Sequence, residues 1–283
     1  MGKLVKVWLD NKERIKIPVV ATEITTPCSS TRHWYSDNLF QKINMFDAII
    51  AWSKASKNGV KKFLGYKGRT FIIPHFISEP NSIINFIGPT DTNNQSLGCI
   101  SRLSPEKGLC YLIAAMSFVV KQYPKSTLHI YGQGREEESL QYLVKCFGLE
   151  SNIIFEGTFE PFIGIDKIAS KHNIFVQPSL FEGMSISMLE LMLRKRAIIA
   201  TKVGGNPELF GKSHAGILVE RGNTQALAKK IISLLNNPTK QAELSRKSFQ
   251  TFKEKYLNVN VLNLHLKTYS LVIKKHLVQQ GNI

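Results

Sequence analysis

Glu182 and Glu190 lie eight positions apart in the sequence. Their side-chain type and their spacing suit a site that binds a ligand. They flank the junction between a strand-like run, Ile174–Gln177, and an apolar helical pattern. The carboxyl end of a strand is where an open α/β sheet places its ligand, and the free N–H groups of a helix start attract phosphate. Carboxylates accept hydrogen bonds from hydroxyl groups. The segment therefore predicts a site for a ligand that carries both phosphate and hydroxyl groups.

The residues between the two glutamates suit the start of a helix. Gly183 permits close backbone approach, and Ser185 and Ser187 are favourable N-cap residues. Ser187 and Glu190 also match a capping box, in which the glutamate would bind the backbone of its own helix. Both interpretations of Glu190 stay open. Glu182 precedes the helix and caps nothing obvious, so we expect it to contact a ligand.

Two cationic side chains follow the strand-like run Leu97–Ser101. Arg102 comes directly after that run, and Lys107 lies in a Pro-Glu-Lys-Gly loop just before the helical pattern that begins at Leu109. A guanidinium group gives bidentate contacts to phosphate, and an ammonium group supplies a point charge. We predict that Arg102 and Lys107 bind a diphosphate. The alternative is that Arg102 is an ordinary surface arginine and that Lys107 pairs with Glu106 within the loop. Gly132 and Gly134 form only a lone Gly-x-Gly, a weak signal by itself.

The elements that would position these residues alternate along the chain. This alternation predicts a doubly wound parallel sheet. The predicted strands are Leu97–Ser101, Thr127–Tyr131, Ile153–Glu156, Ile174–Gln177 and Ala197–Thr201. The predicted helices are Leu109–Gln122, Glu136–Phe147, Met188–Arg194 and Thr224–Leu235. Two more helical stretches follow Pro238, and earlier strands are expected at Val19–Thr22, Ala48–Ser53 and Thr70–Pro74.

Composition limits the class of protein. The chain has 283 residues, of which 43% are hydrophobic, enough for one large or two modest cores. Four cysteines form no CxxC pair, and the charged opening Met1–Lys6 does not match a signal peptide. No apolar run approaches the ~20 residues of a membrane span. We expect a globular protein of the reducing cytoplasm.

The formal net charge of +16 predicts attraction to a polyanion. No nucleic-acid-binding motif accompanies the charge, so no nucleic acid partner is expected. We favour peripheral contact with an anionic membrane, against the alternative of a solvated basic face. The expected contact is a helix that carries Lys54, Lys57, Lys61, Lys62 and Lys67 between Val60, Phe63, Leu64 and Tyr66.

Five motifs occur in order over residues 97–210. They are Gly98–Gly108, His129–Gly134, Asn152–Gly157, Ser179–Ala200 and Gly204–Leu209. Together they resemble the signature of the family-4 retaining glycosyltransferases, which have the two-domain glycosyltransferase-B fold. The resemblance implies an α/β fold with two Rossmann-like domains, of which the C-terminal one is complete and the N-terminal one is truncated.

The resemblance also implies the domain limits. We predict a partial acceptor-side domain over 1–87, a linker over 88–96, a nucleotide-sugar-binding domain over 97–258, and a terminal helix over 259–283 that crosses back to the first domain. Three positions depart from the family pattern. Ile24 occupies the place of a common histidine, and Lys195 and Ala197 stand where glycine and proline are frequent.

Site roles follow from the same resemblance. Arg102 and Lys107 would neutralise the leaving nucleoside diphosphate, Glu182 would hold donor-sugar hydroxyls, and Glu190 the nucleotide ribose. The remaining donor-binding residues would be Gly132, Gly134, Gly183, Met184, Ser185, Ile186 and Ser187. The donor would be a UDP- or GDP-sugar, and neither a metal nor another cofactor is expected.

The resemblance implies a retaining glycosyltransferase that acts at the inner face of the membrane. Its acceptor would be a glycan or glycolipid, in cell-surface polysaccharide or lipopolysaccharide synthesis. Two alternatives stay open. The chain could be a nucleotide-sugar-binding remnant that needs a partner subunit for its missing N-terminal half, or a basic polyanion-binding protein on an α/β scaffold.

Overall fold

A computed structural model describes residues 17–77, 95–160, 163–211 and 213–279. The chain divides into two compact units, Met1–Phe76 with Asn258–Ile283, and Ile77–Leu257. Most of the predicted linker 88–96 and all of the opening segment Met1–Lys6 lie outside the described residues. The functional domain limits expected from the sequence stay a prediction.

The first unit contains a three-stranded parallel sheet. Its strands are β1 (Val20–Glu23), β2 (Ala48–Ala51) and β3 (Arg69–Ile72), in the order β1-β2-β3. Its α-helices within the described residues are Asp37–Lys42, Lys54–Lys62 and the terminal helix Asn258–Gln279. The terminal helix thus belongs to the same compact unit as β1 to β3, although about 180 residues of chain separate them.

The two longer helices of this unit cover opposite faces of its sheet. Ile49 packs with Val60 of the helix Lys54–Lys62, whereas Ile50 packs with Val261 of the terminal helix. Successive side chains of a strand point to opposite faces, so the helix behind Ile49 and the helix behind Ile50 lie on different sides.

The apolar residues of the lysine-rich helix face the core. Val60, Leu64 and Tyr66 are at most 3% exposed, and Phe63 packs against the same cluster. The expectation that they rest against lipid is therefore wrong. Their spacing is that of an amphipathic helix whose apolar stripe covers its own sheet. Within the described residues, no helix is both long and apolar enough to cross a membrane.

The second unit is built on a six-stranded parallel sheet, which confirms the predicted α/β fold class. Its strands are β4 (Ser96–Ile100), β5 (Thr127–Tyr131), β6 (Ile153–Gly157), β7 (Ile174–Gln177), β8 (Ala197–Thr201) and β9 (Ile217–Val219). The order is β6-β5-β4-β7-β8-β9. β5 and β6 therefore lie on one side of β4, and β7, β8 and β9 lie on the other side.

Helices cover both faces of this sheet. They are Leu109–Gln122, Glu137–Cys146, Ile163–Lys171, Ile186–Leu193, Asn206–Phe210, Thr224–Leu235 and Pro238–Lys255. The central strands are buried on both sides, which is why β7 and β8 read as continuous apolar runs rather than as alternating ones.

Candidate functional site

The candidate site lies at the point where the strand order reverses. Neighbouring strands β4 and β7 pair through Leu97 with Ile174 and Gly98 with Phe175. A Cβ at Gly98 would come within 2.4 Å of the Phe175 ring, so glycine permits this close packing. The loops that leave the carboxyl ends of β4 and β7 carry the predicted cations and the predicted carboxylate. This reversal is where open α/β sheets bind ligands.

Lys107 and Glu182 are in direct contact across the two loops. Lys107 Nζ lies 2.6 Å from Glu182 Oε1, and the side chains are 15% and 8% exposed. The backbones are joined as well, because Leu180 N donates to Glu106 O at 2.8 Å. The structure thus brings together two residues that lie 75 positions apart in sequence.

Gly108 makes this approach of the two loops possible. Its φ of +63° lies in the left-handed region that favours glycine. A Cβ at this position would lie 2.4 Å from Pro178 O, a backbone atom that a side-chain rotation cannot remove. A larger residue would therefore push the Lys107 loop away from the loop that holds Glu182.

Buried polar residues orient the Glu182 carboxylate. Ser179 Oγ donates to Glu182 Oε1 at 2.9 Å, and Gln177 Nε2 donates to Ser179 Oγ at 3.1 Å. Ser179 is fully buried and Gln177 nearly so. Thr201 Oγ1 holds the Ser179 carbonyl at 2.5 Å. Sequence reasoning gave Gln177 and Ser179 no role, although a serine three residues before a glutamate is a recognisable hydrogen-bonding spacing.

Arg102 lies on the same loop as Lys107 but extends into solvent. Its side chain is 73% exposed and contacts Glu106 Oε1 at 3.1 Å. Burial alone would raise the pKa of Glu106, but a hydrogen bond from Ser104 and the charges of Arg102 and Lys107 lower it below its ordinary value. Glu106 therefore stays ionised beside the two cations.

Gly132 and Gly134 pack against the backbone of the Arg102 loop. A Cβ at Gly132 would lie 2.0 Å from Ser101 O, and one at Gly134 would lie 2.3 Å from Leu103 O. Leu103 N also donates to Gln133 O at 3.0 Å. These contacts give the Gly-x-Gly a packing role that supports the arginine loop, and its predicted contact with a donor stays a prediction.

The helix Ile186–Leu193 begins two residues before the predicted start at Met188, and Ser185, one of the two expected N-cap serines, is its N-cap. The Ser185 side chain makes no capping hydrogen bond to the first turn. Ser185 Oγ and Ser187 Oγ lie 3.0 Å apart. Gly183, Met184 and Ser185 are buried, whereas Ile186 is exposed. The first N–H groups of a helix have no partner within the helix, and here the N-cap side chain does not bind them, an arrangement that suits an anion.

Glu190 does not form the alternative capping box. The N3 position is Met188, and Glu190 Oε2 instead accepts from Arg194 Nη1 one turn later. Arg194 is almost fully buried, and its Nε donates to Asp166 Oδ1. The capping-box interpretation is wrong because the helix starts at Ile186, one residue before the serine that the box requires as its cap. Sequence reasoning gave no role to Arg194, although it lies within the motif Ser179–Ala200, or to Asp166, which lies outside the motifs.

No group of three or more His, Cys, Asp or Glu side chains in the described parts of the chain is arranged to hold a metal ion.

An open parallel sheet with an ion pair at its strand reversal defines a Rossmann-like domain with a candidate site for an anionic, hydroxyl-bearing ligand. The sequence profile described as glycosyl transferases group 1 matches residues 94–237, about half of the chain. The protein belongs to this family. The resemblance to the family-4 glycosyltransferases is confirmed.

Curated relatives come from several bacteria. The chain is 26% identical over 234 residues to the poly(ribitol-phosphate) alpha-N-acetylglucosaminyltransferase of Staphylococcus aureus, covering 82% of this chain and 45% of that protein. It is 33% identical over 165 residues to a GDP-mannose-dependent monoacylated phosphatidylinositol monomannoside mannosyltransferase of Corynebacterium glutamicum, covering 56% and 42%. The chain thus spans less than half the length of these two relatives.

Solved structures share the fold. The UDP complex of HepE from Anabaena has a TM-score of 0.80 at 23% identity, over 95% of this chain and 76% of that one. TarM from S. aureus has a TM-score of 0.75 at 22% identity, over 89% and 50%. At these identities, the similarity establishes the glycosyltransferase-B type of fold and nothing finer.

Proposed function

We propose that the protein is a retaining glycosyltransferase that moves a sugar from a nucleoside-diphosphate sugar to a glycan or glycolipid acceptor. One observation carries the proposal: Lys107 Nζ contacts Glu182 Oε1 at 2.6 Å where the strand order reverses. A cation for a diphosphate and a carboxylate for sugar hydroxyls thus share one site. Both charges are mostly shielded from water, which strengthens their interaction with a bound donor.

During sugar transfer, charge develops at positions where this site has groups of complementary charge. The bond between the anomeric carbon and the diphosphate oxygen breaks, and its electron pair stays on the phosphate while the sugar gains positive character. Lys107, Arg102 and the uncapped start of the helix Ile186–Leu193 would stabilise the phosphate charge. Because three positive groups serve this purpose, the proposed mechanism needs no metal ion.

The two glutamates would hold the donor by its hydroxyl groups. Glu182 would accept from the sugar, and Ser179 would keep its carboxylate in place for that contact. Glu190 would accept from the nucleotide ribose while Arg194 holds it from the far side. Retention of the anomeric configuration rests on the family assignment rather than on these contacts.

The acceptor class is supported by the relatives. One is named for poly(ribitol phosphate) and another for a phosphatidylinositol mannoside, both of which carry phosphate. The net charge of +16 would favour an anionic acceptor of this kind and peripheral contact with an anionic membrane at the cytoplasmic face. We therefore propose a role in the synthesis of a cell-surface polysaccharide or glycolipid.

The test is calorimetric titration of the full chain with UDP, GDP and their common sugar conjugates. The solved relatives that contain UDP make a UDP-sugar the first donor to titrate. We expect micromolar binding that prefers one base and that falls at least tenfold in Lys107→Ala. Glu182→Ala should bind the free nucleotide normally but lose the added affinity of the sugar. No nucleotide binding, together with salt-sensitive binding of RNA or DNA, would instead favour a polyanion-binding protein.

A second candidate function is donor binding that needs a partner subunit for transfer. Ile24, which stands where the family commonly has a histidine, is exposed beyond the end of β1. Nucleotide-sugar binding without sugar transfer to lipid extracts or to water would favour this candidate. Transfer by the chain alone would exclude it.

A further inference from the structure

The terminal helix Asn258–Gln279 carries most of the large apolar side chains that the described chain exposes. Eight of the fourteen lie on this one helix, each 42% to 63% exposed. Five of them form a continuous stripe with the spacing i, i+3, i+7, i+10 and i+14. The stripe consists of Val259, Leu262, Leu266, Tyr269 and Ile273. A stripe of this length spans about 21 Å of helix.

The stripe is separate from the face by which the helix packs on its own sheet. That face consists of Val261, Thr268 and Val272, all buried. At 100° per residue, the centres of the buried face and of the stripe lie roughly 120° apart around the helix axis. The helix therefore presents more apolar surface than its packing on the sheet uses. Apolar patches of this kind mark interaction sites.

The charge of the helix and of its unit is one-sided. The helix contains Lys267, Lys274 and Lys275 and no aspartate or glutamate. The unit formed by Met1–Phe76 and Asn258–Ile283 has 16 lysines and arginines against 5 acidic residues, a net charge of +11. The longer unit Ile77–Leu257 has 21 against 16, a net charge of only +5. Most of the excess positive charge thus belongs to the smaller unit.

We propose that the terminal helix is the docking surface for an anionic lipid bilayer. The stripe would enter the boundary between headgroups and acyl chains, and the lysines would contact lipid phosphates. Lys267 and Lys274 lie beyond the stripe, on the side away from the buried face, and their long side chains can reach past it to the headgroups. This inference rests on the peripheral membrane contact of the proposed function and assigns it to a surface.

Charge complementarity selects lipid over a second copy of the chain. A dimer through this helix would bring lysines near lysines, and no acidic side chain of either helix could pair with them. An anionic bilayer supplies the opposite charge and an apolar phase together. The lysine-rich helix Lys54–Lys62 offers only the charge, because its apolar residues are buried under the opposite face of the sheet.

The experiment is co-sedimentation of the full chain with vesicles of phosphatidylcholine alone or mixed with phosphatidylglycerol. We expect binding only to the anionic vesicles, weakened by salt. Leu266→Glu with Ile273→Glu should reduce binding at least tenfold. Tyr142→Glu, at an exposed aromatic residue of the helix Glu137–Cys146, is the matched control and should change binding less than twofold.

A second pair of variants separates this surface from general electrostatics. Glutamine at Lys267, Lys274 and Lys275 should weaken binding at least tenfold, whereas glutamine at Lys54, Lys57 and Lys61 removes the same charge and should weaken it less than threefold. Equal losses, or no vesicle binding, would overturn the proposal. So would a dimer of the wild-type chain that Leu266→Glu dissociates, since a second copy would then cover the stripe.

Nucleotide titration and thermal unfolding of every variant keep the two proposals apart. A stripe variant that unfolds at the wild-type temperature and binds nucleotide normally, yet does not sediment with vesicles, supports the docking surface. Vesicle binding needs no donor. A chain that binds vesicles through the stripe but binds no nucleotide would refute the proposed enzyme and leave the docking surface standing.

Discussion

Lys107 Nζ lies 2.6 Å from Glu182 Oε1, so the candidate phosphate-binding cation and the candidate sugar-binding carboxylate neutralise each other across two loops. Neither side chain is more than 15% exposed, and solvent and salt therefore screen the pair less than a surface ion pair. Removing one partner leaves the other charge mostly buried and without its counter-charge. The consequences for stability and for ligand binding should differ and can be measured separately.

Lys107→Ala should lower the affinity for nucleoside diphosphate by about tenfold or more, because a charge-assisted contact contributes roughly 1.5–3 kcal/mol. It should also lower the free energy of unfolding, since the mostly buried Glu182 side chain loses its contact with the Lys107 ammonium group. Calorimetric titration and urea unfolding measure the two effects. Lys202→Ala is the control, because Lys202 is an exposed lysine whose nitrogen lies 3.7 Å from Glu220. Equal nucleotide affinity of the two variants would contradict the prediction.

Ser179→Ala should slow transfer while leaving nucleotide affinity unchanged. Ser179 Oγ donates to Glu182 Oε1 at 2.9 Å and fixes that carboxylate, which is predicted to hold the sugar rather than the phosphate. We expect kcat to fall about tenfold or more, because a hydrogen bond to a charged group contributes roughly 1.5–3 kcal/mol. Ser117→Ala, which removes a hydroxyl bonded only to its own helix, is the control.

A double-mutant cycle decides whether Ser179 acts through Glu182. In a Glu182→Ala background, Ser179→Ala should have no further effect on kcat, because the group that it positions is gone. Additive losses would mean that Ser179 acts independently and would refute its positioning role.

The sequence predicted the strands at the centre of the second unit's sheet well because β7 and β8 are buried on both faces. Ala197–Thr201 is five buried residues between polar ends, and Thr127–Tyr131 and Ile174–Gln177 were predicted to the residue. Short elements were missed. β9 has three residues, Ile217–Val219, too few to show a period.

The site was harder to predict because its contacts depend on which loops meet. The motif positions of Lys107 and Glu182 are readable, but their ion pair joins segments far apart in sequence. The buried partners Gln177 and Ser179 carry no charge pattern, and only the fold shows what they touch. The prediction that the lysine-rich helix Lys54–Lys62 contacts lipid was wrong for a related reason. Its period indicates one apolar face, but not whether that face meets lipid or protein.

Gly108→Ala should destabilise the protein more than Gly148→Ala. The two glycines have nearly equal φ values, +63° and +64°, so an alanine at either costs about 1 kcal/mol of backbone strain. Only at position 108 would the new Cβ meet a backbone atom, Pro178 O at 2.4 Å, whereas nothing lies within 4 Å at position 148. We expect a further loss of about 1–3 kcal/mol for Gly108→Ala, measured by urea unfolding. Equal losses would show that the loops can separate freely.

His172 should make the protein less stable as the pH falls below the ordinary histidine range. Burial, with smaller effects from the charges of His129 and Lys171, lowers the pKa of His172 to about 3. Its ring nitrogens contact Ser96 Oγ at 2.7 Å and Tyr131 OH at 2.8 Å. The unfolded chain therefore binds a proton between about pH 6.5 and 3 that the folded chain does not.

Because the unfolded chain binds this additional proton, a lower pH favours unfolding. Above pH 6.5 the titration of His172 should add no pH dependence to the free energy of unfolding, which should then fall by up to ~1.4 kcal/mol per pH unit as the pH drops toward 3. His172→Gln is less stable at neutral pH but should show a flatter slope in that window. Urea unfolding at several pH values compares the slopes, and parallel curves for the two proteins would contradict the assignment.

Lys195→Gly should stabilise the protein relative to Lys195→Ala. Lys195 follows the helix Ile186–Leu193 with φ of +55°, and Lys195 N and Arg196 N donate to Met192 O and Leu191 O. This is the helix-ending arrangement in which the left-handed position is normally glycine, which explains why glycine is frequent here in the family.

At Lys229, the same two substitutions should rank in the opposite order of stability, with alanine above glycine. We expect the glycine variant at position 195 to exceed the alanine variant by roughly 1 kcal/mol, since both lose the contact of Lys195 Nζ with the Phe249 ring. Lys229 is exposed in the helix Thr224–Leu235, where glycine should be the less stable of the two by about 1 kcal/mol. If glycine is worse than alanine at both positions, the left-handed conformation at 195 costs nothing, and the physical reason offered for this departure from the family pattern fails.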